Sequence, residues 1–442
     1  MDTLSTVDFI LKRQYSTYVP DTVAERSAFW RRVKKGAEDL GGEGMTAYIP
    51  TIYGHSQAHA AILETGTLPT AQNVSGQRMQ VPLKYQVGQI SVTQVSIEAT
   101  RSSKYAFMKS FQVNMETMGS TCAKQCERQL WGDGTALLGY VQTGATSATV
   151  QLRTATSGDP GSEYFEVGMF IDAYTAAAPP WAATPVQRID NIQVTGVNRV
   201  LHQLTLASSQ TFTAGDLIFR ANHFTPGAGG DATLYAQYEM MGLLGLVDGP
   251  RSSDGAFTFP RSNVGNFQGI NRALTTWGGA YNAFVLNNVV LGVSTPRALN
   301  TALLLQGIIG SRARGTAPVD AIFSHPEIQA DYMTDMLAMR QYEALKVDPG
   351  YSSIVISVGV PKPIPWYGTE FYCPRNRLFG LRLEDFKIHW THDWEWWNAG
   401  GAIAQRTANP STLAVEATTF MFANLGADRA VNCFRIDDLE HL

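Results

Sequence analysis

Charge is what this sequence has least of. Of 442 residues, 34 are Lys or Arg and 38 are Asp or Glu, so 16% are charged. An average soluble protein has about 25%, or roughly 110 charges at this length. Lysine is scarcest, and none occurs between Lys124 and Lys346. Cysteine is sparse too. Cys122, Cys126, Cys373 and Cys433 are too few and too scattered for a disulfide framework, and a reducing compartment is expected. No apolar run approaches the length of a membrane span. The opening residues, Met1-Asp2-Thr3-Leu4-Ser5, lack the basic region and apolar run of a signal peptide. A net charge of −4 and a pI near 6.1 argue against a dedicated nucleic-acid binder. With 44% hydrophobic residues, a large core is expected and global disorder is excluded. The length fits about two to four structural units. The charge deficit then leaves two explanations: a polar-neutral surface, or a surface covered by something else.

Residues 1–26 mix charge, Tyr and Pro20 without a period and read as an extended arm. Ser27 is a candidate N-cap. Phe29, Trp30, Val33, Ala37 and Leu40 fall at helical spacing before Gly41-Gly42-Glu43-Gly44. Arg26, Arg31, Arg32, Lys34 and Lys35 lie on the polar side, as a solvated face or as a contact with an acidic neighbour or polyanion. From Met79 to Ile97 apolar residues alternate, with Gly88-Gln89 between two runs, which predicts a long hairpin-like excursion. Such an arm cannot bury both faces on its own body and expects a partner.

The strongest helical signal is Phe107, Phe111, Met115, Met118, Cys122, Cys126 and Leu130. These residues form one stripe over residues 104–131, stopped by Gly132-Asp133-Gly134. At 1.5 Å per residue such a rod is about 42 Å long. Residues 139–224 hold no lysine and only ten charges in 86 positions. Short β-type runs recur there between Gly, Pro, Asp and Ser: 148–152, 165–171, 187–197, 203–206 and 217–219. They predict a compact all-β module. Helices are expected over 287–310 and 326–342, with a buried strand at 320–324 between them. Strands are expected at 354–358, 370–373, 378–383, 386–390, 413–422 and 430–436.

Motifs of catalysis are missing: no P-loop, no G-x-S-x-G elbow and no H-E-x-x-H is present. His55 and His59 have i, i+4 spacing but no neighbouring carboxylate. Cys122 and Cys126 share that spacing but continue the apolar stripe. His389 and His392 with Asp393 would need a third converging group for metal or acid–base work. Trp390, Trp394, Trp396 and Trp397 form the densest aromatic cluster. The first three share parity on a strand, suited to core packing, a subunit contact or stacking on sugars.

The order of these elements resembles the major capsid protein of tailed bacteriophages, the Hong Kong 97-like fold that encapsulin shells share. Gly76–Ile97 is similar to the second half of that family's extended loop. Lys104–Trp131 is similar to its spine helix, and Asp320–Tyr342 to an axial-domain strand and helix. Leu378–Trp390 and Leu413–Ile436 are similar to its closing strands. The resemblance implies an α+β fold with an N-terminal arm and short helix (1–44), an extended β loop region (45–100) and a peripheral domain with the spine helix (101–138). An inserted all-β domain (139–224), an axial domain (225–375) and closing strands of both domains (376–442) follow. It implies a non-enzymatic subunit of an icosahedral head shell, with no cofactor and no membrane. That subunit forms hexamers and pentamers in the virion, assembles in the bacterial host cytoplasm and encloses double-stranded DNA non-specifically. A separate scaffolding protein, a portal and a decoration protein are the implied partners; some members carry a cleaved N-terminal scaffolding segment, but with no long helical prefix before the arm this chain is expected to be unprocessed. Arg26, Arg31, Arg32, Lys34, Lys35, Lys84, Trp394 and Trp396 are the candidate subunit-contact or DNA-facing residues. Lys84 is also the one lysine near the loop where some members cross-link a Lys to an Asn. An encapsulin-type compartment and a β-rich adhesin or glycan binder are the alternatives.

Overall fold

The computed structural model describes residues 27–37, 45–54, 56, 58–64, 66–93, 104–134, 136–153, 161–175, 186–225, 236–249, 266–271, 281–286, 289–290, 293–294, 296–339, 354–356, 363–368, 370–398, 405–406 and 414–440. The arm up to Arg26 lies outside them, as do the side chains of Phe107 and Phe111.

The apolar stripe of residues 104–131 does form one helix, Lys104–Trp131, of 28 residues. Met115, Cys122, Cys126, Leu130 and Trp131 are buried along it. The stripe packs on a five-stranded sheet made of Lys34–Ala37, Phe386–Trp396, Ala414–Ala427, Gln405–Arg406 and Lys84–Thr93. Gly88 sets the closeness of this packing. A Cβ there would stand 3.0 Å from Met118 Sδ and 3.2 Å from Cys122 Sγ, so the strand can pass over the helix only without a side chain.

This overturns the expected turn at Gly88-Gln89. Lys84–Thr93 runs through both residues, pairing antiparallel with Ala414–Ala423. The break falls at Leu83, and the hairpin is formed by Thr46–Gly54 with Ser75–Pro82. The N-terminal helix is also shorter than its spacing predicts. It covers only Ala28–Arg32, after which Lys34–Ala37 pairs parallel with Lys387–Trp390. Hydrogen bonding to the sheet wins over apolar spacing there, helped by Gly36, which lies directly against the Lys387 side chain.

A second sheet has the order Phe284–Leu286, Phe434–Ile436, Leu378–Leu381, Ala321–Ser324, Ile364–Tyr367, Ile354–Ile356. Helices Thr301–Arg314 and Pro326–Met339 cover it through Leu304, Ile308, Ile328 and Tyr332, packed on Ile322, Trp366, Phe434 and Ile436. The expected helix over 287–310 begins late. Val289–Val290 pairs with Val293–Ser294 instead, and Asn300 starts the helix by accepting from Leu303 N at 2.8 Å. The expected strand at 370–373 is a turn. Its Glu370 points inward, where it accepts from Ser27 Oγ at 3.1 Å and Phe29 N at 3.0 Å. Burial pushes this carboxyl up, while its bonds to Phe29 and Ser27 act against the rise.

Where the two sheets and the long helix meet, Phe29, Trp131, Phe323, Phe379 and Phe386 interlock, with Phe29 edge-on to Phe323 at 5.7 Å. Buried Arg435 ties the C-terminal strand to this core. It forks onto Asp437 at 2.8 and 2.9 Å and donates to the carbonyls of Leu244 and Val247.

Residues 137–220 form a separate six-stranded layer in the order Leu137–Tyr140, Leu217–Arg220, Phe170–Tyr174, Gln187–Asn198, Gln203–Thr211, Thr146–Gln151. The two outer strands also meet. Val141 bridges Leu152, Gln142 N donates to Gln151 O at 2.8 Å and Arg153 N to Tyr140 O at 2.9 Å. The sheet therefore closes into a small barrel. Its interior is filled by Leu138, Phe165, Val194, Leu204 and Ile218, among others. The strand expected at 165–171 starts instead at Phe170, because Phe165 precedes a turn and plugs this core.

Candidate assembly surface

The hairpin Thr46–Gly54/Ser75–Pro82 leaves the main body at Leu83. Its base is anchored through buried Ala47, Met79 and Val81, and Thr51 is buried further out. Elsewhere it is mostly open to solvent, with Arg78 lying over the Tyr48 ring at 3.7 Å. The connecting residues 58–64 and 66–74 are almost all exposed, and among them Leu63 and Leu68 are 83% and 82% accessible. Few local bonds shape this segment; Ser56 Oγ to Gln72 O at 2.8 Å and Gly66 N to Leu63 O at 2.8 Å are two. Two strands without a third or a helix beneath them are marginal in water. The extended segment offers Ile62, Leu63, Leu68 and Val74 to solvent.

A second apolar surface lies on the face of the five-stranded sheet that points away from the long helix. Alternation along Lys84–Thr93 turns Gln86, Ile90 and Val92 inward and Tyr85 and Val87 outward. Tyr85 stands edge-on to Phe422 at 4.8 Å, Phe422 lies 5.2 Å from Phe420, and Trp397 meets Phe420 at 5.6 Å. His392 sits among them, its Nδ1 2.8 Å from Glu395 Oε1. Among the described residues, no strand pairs with the outer edge of Lys84–Thr93. The edge is ten residues long and carries neither proline nor a bulge, the usual devices that protect an edge.

The residues singled out from the sequence fall in different places. Arg26 lies outside the described residues. Arg31 and Arg32 are exposed on the N-terminal helix, with Arg32 over the Tyr367 ring at 4.0 Å. Lys34 and Lys35 are placed by backbone in the strand beside Phe386–Trp396. Lys84 is half-buried at the start of the edge strand, where burial lowers the pKa of its ammonium. Trp394 and Trp396 are only 5% and 8% exposed and belong to the chain's own interior, so neither offers a surface to a partner. The accessible indole is Trp397, at 52%. Trp390, Trp394 and Trp396 do share a face, as their parity predicts, but it is the core face, and the register shifts between Trp390 and His392 and again before Glu395 put His392 on the other side. Tyr85, Phe420 and Phe422 were not singled out; their alternation marks strands, and only the pairing shows that they converge.

Among the described residues no group of three or more His, Cys, Asp or Glu is placed to hold a metal. His55 is outside the described residues, and His59 is exposed. All four cysteines are free and buried, and burial pushes the Cys122 thiol up to about 12, where it stays protonated. No helix among the described residues is long and apolar enough to cross a membrane.

No family model and no curated protein matches the sequence. Solved structures do. The chain is similar to the capsid asymmetric unit of cyanophage A-1(L), with 11% identity over 92% of this chain and 90% of that one, at a TM-score of 0.50. Weaker likenesses, which carry no argument by themselves, are to Mycobacterium phage Ogopogo (6% identity, 93% and 92% coverage, TM-score 0.41) and to the capsid of a native GTA particle (8%, 95% and 91%, 0.39). The chain has the fold of tailed-phage major capsid proteins, an α+β fold with more strand than helix.

Proposed function

We propose that this protein is a major capsid protein, a non-enzymatic subunit of the icosahedral head shell of a tailed bacteriophage. The observation that carries the reading is the pair of unpartnered surfaces on a capsid fold: an exposed apolar hairpin, and an open strand edge beside an aromatic face. A closed shell needs one chain to offer several different contacts that copies of itself complete. Long arms and bare edges would be liabilities in a lone globule. The hairpin lying over a neighbouring copy explains why Leu63 and Leu68 face solvent in a single chain. Many modest contacts of this kind add through multivalency.

In this reading the subunits form hexamers and pentamers, the N-terminal arm and its basic residues touch neighbours or packaged DNA, and residues 139–224 are an inserted domain. Non-specific contact with DNA needs only scattered Arg and Lys, compatible with the overall charge of −4. A separate scaffolding protein, a portal and a decoration protein are the expected partners. The test is electron microscopy of the purified chain, alone and co-expressed with its scaffolding protein. Closed particles of uniform size that contain DNA when made with the packaging machinery are expected. Small monodisperse species under every assembly condition would overturn the shell reading. Particles filled with an enzyme cargo in place of DNA would make it a nanocompartment.

A further inference from the structure

The barrel meets the rest of the chain across a mixed-charge seam. Arg375 stands between two carboxylates from different parts of the molecule. Its guanidinium pairs with Glu163 of the barrel, and its Nη1 lies 3.3 Å from Glu327 Oε1 on helix Pro326–Met339. A cavity of about 550 Å³ opens beside this trio, with Glu127 of the long helix, Arg199 of the barrel and His325 on its walls. His325 Nδ1 accepts from Glu327 N at 3.3 Å and lies 3.8 Å from Glu327 Oε2. His202, at the base of the Arg199 turn, has its pKa lowered by burial and then by Arg375.

The same barrel turn makes the neighbouring contacts. Tyr164 donates its hydroxyl to Tyr372 O at 3.1 Å and stacks on that ring at 6.2 Å, while Glu166 accepts from Lys124 Nζ at 2.6 Å. Residues 161–166 thus carry a set of polar links from barrel to body. Glu163 is the member whose charge is decided near neutrality. Burial raises its carboxyl to about 7, with Arg375 opposing the rise, Glu327 adding to it and Arg199 opposing more weakly.

We infer that Glu163, Arg375 and Glu327 form a protonation-sensitive latch between barrel and body, closed most firmly when Glu163 carries a proton. The sign follows from linkage. In the closed seam Glu163 keeps its proton up to about pH 7, whereas a glutamate swung out into water keeps it only to about 4.3. The closed form binds the proton more tightly, so acidification through pH 7 favours closure. Above pH 7 two ionised carboxylates share one guanidinium in a partly desolvated seam, and opening is favoured. The latch goes beyond shell formation and is a property of the single chain.

Hydrogen exchange on the full chain between pH 5.5 and 8.5, corrected for intrinsic rates, tests it. Peptides spanning 161–168 and 370–377 are expected to lose about tenfold or more protection as pH rises through 7. Amides inside the barrel near Leu204–Leu206 are expected to stay unchanged. Glu163→Gln should be protected and flat across this range. Glu327→Gln should move the wild-type midpoint to lower pH, because it removes the charge that helps hold the proton on Glu163. A flat wild-type profile, or an unaltered profile in Glu163→Gln, overturns the latch. So does loss of protection in step at Leu204–Leu206, which would mean general unfolding. Should Glu163→Gln fail to fold, an unmoved midpoint in Glu327→Gln overturns it equally.

Discussion

The barrel and the hairpin are both β structures with little charge, yet they solve opposite problems. In the strand Gln203–Thr211 of the barrel, Leu204 and Leu206 point inward while Thr205, Ala207 and Ser208 face out. Six strands close on themselves and every edge meets a neighbour. The hairpin has two strands, buries few residues, mostly near its base, and its connecting segment turns Leu63 and Leu68 to solvent. Its connecting segment 58–74 contains a single charged residue, Glu64. Low charge in the barrel goes with a closed sheet whose exterior mixes neutral polar groups with single exposed apolar residues such as Val167, Val186 and Val200. Low charge in the hairpin goes with an apolar segment left open to solvent, the surface that a neighbouring copy would complete in the proposed shell. Composition cannot separate the two, because it counts side chains without knowing which edges are closed.

The largest expected effect lies in the barrel. Phe165→Ala empties a fully buried position and should cost about 3–5 kcal/mol of stability in denaturant unfolding. A cost under 1 kcal/mol would show that the barrel core is loosely filled. Next comes the joint between barrel exit and long helix, where Arg128 and His223 both pair with buried Glu239. Burial alone would raise this carboxyl, but the Arg128 charge and the hydrogen bond from His223 outweigh it and hold it at about 2. A depressed carboxyl contributes stability that is present above the ordinary glutamate value of about 4.3 and is lost as pH falls towards 2. That loss is about 3 kcal/mol. Acid titration of unfolding should show it, and Glu239→Gln should flatten the profile over that window. The smallest effect on the single chain is expected in the hairpin. Leu63→Asp with Leu68→Asp should change monomer stability by under about 0.5 kcal/mol per site yet block closed particles under the electron microscope. Normal particles from that double variant would break the contrast between the two regions.

Much of the architecture is legible in the sequence where one local period dominates. The stripe from Met115 to Leu130 predicts the long helix because a helix of that length keeps one face on the core. Turn residues between short apolar runs predict the β character of 139–224. The failures share a cause: a residue that usually punctuates was chosen for a tertiary approach. Gly88 reads as a turn, but it lets a strand pass over Met118 and Cys122. Gly36 falls inside the expected helical spacing, but it lies against the Lys387 side chain in a strand paired with Lys387–Trp390. The assembly surface was half visible. Exposure of the loop region follows from its pattern, whereas parity groups Trp394 and Trp396 on one face without telling that this face is the chain's own core. The Glu163–Arg375–Glu327 seam left no local signal, since its members come from segments more than 150 residues apart in part.

The barrel begins with Leu137–Tyr140 and ends with Leu217–Arg220, and these two strands are direct hydrogen-bonded neighbours. Its entrance and exit therefore stand about 5 Å apart, one strand spacing. To the rest of the chain, the whole module occupies the space of a tight hairpin turn. A shorter loop or a foreign domain with adjacent ends could replace it without stretching the body on either side.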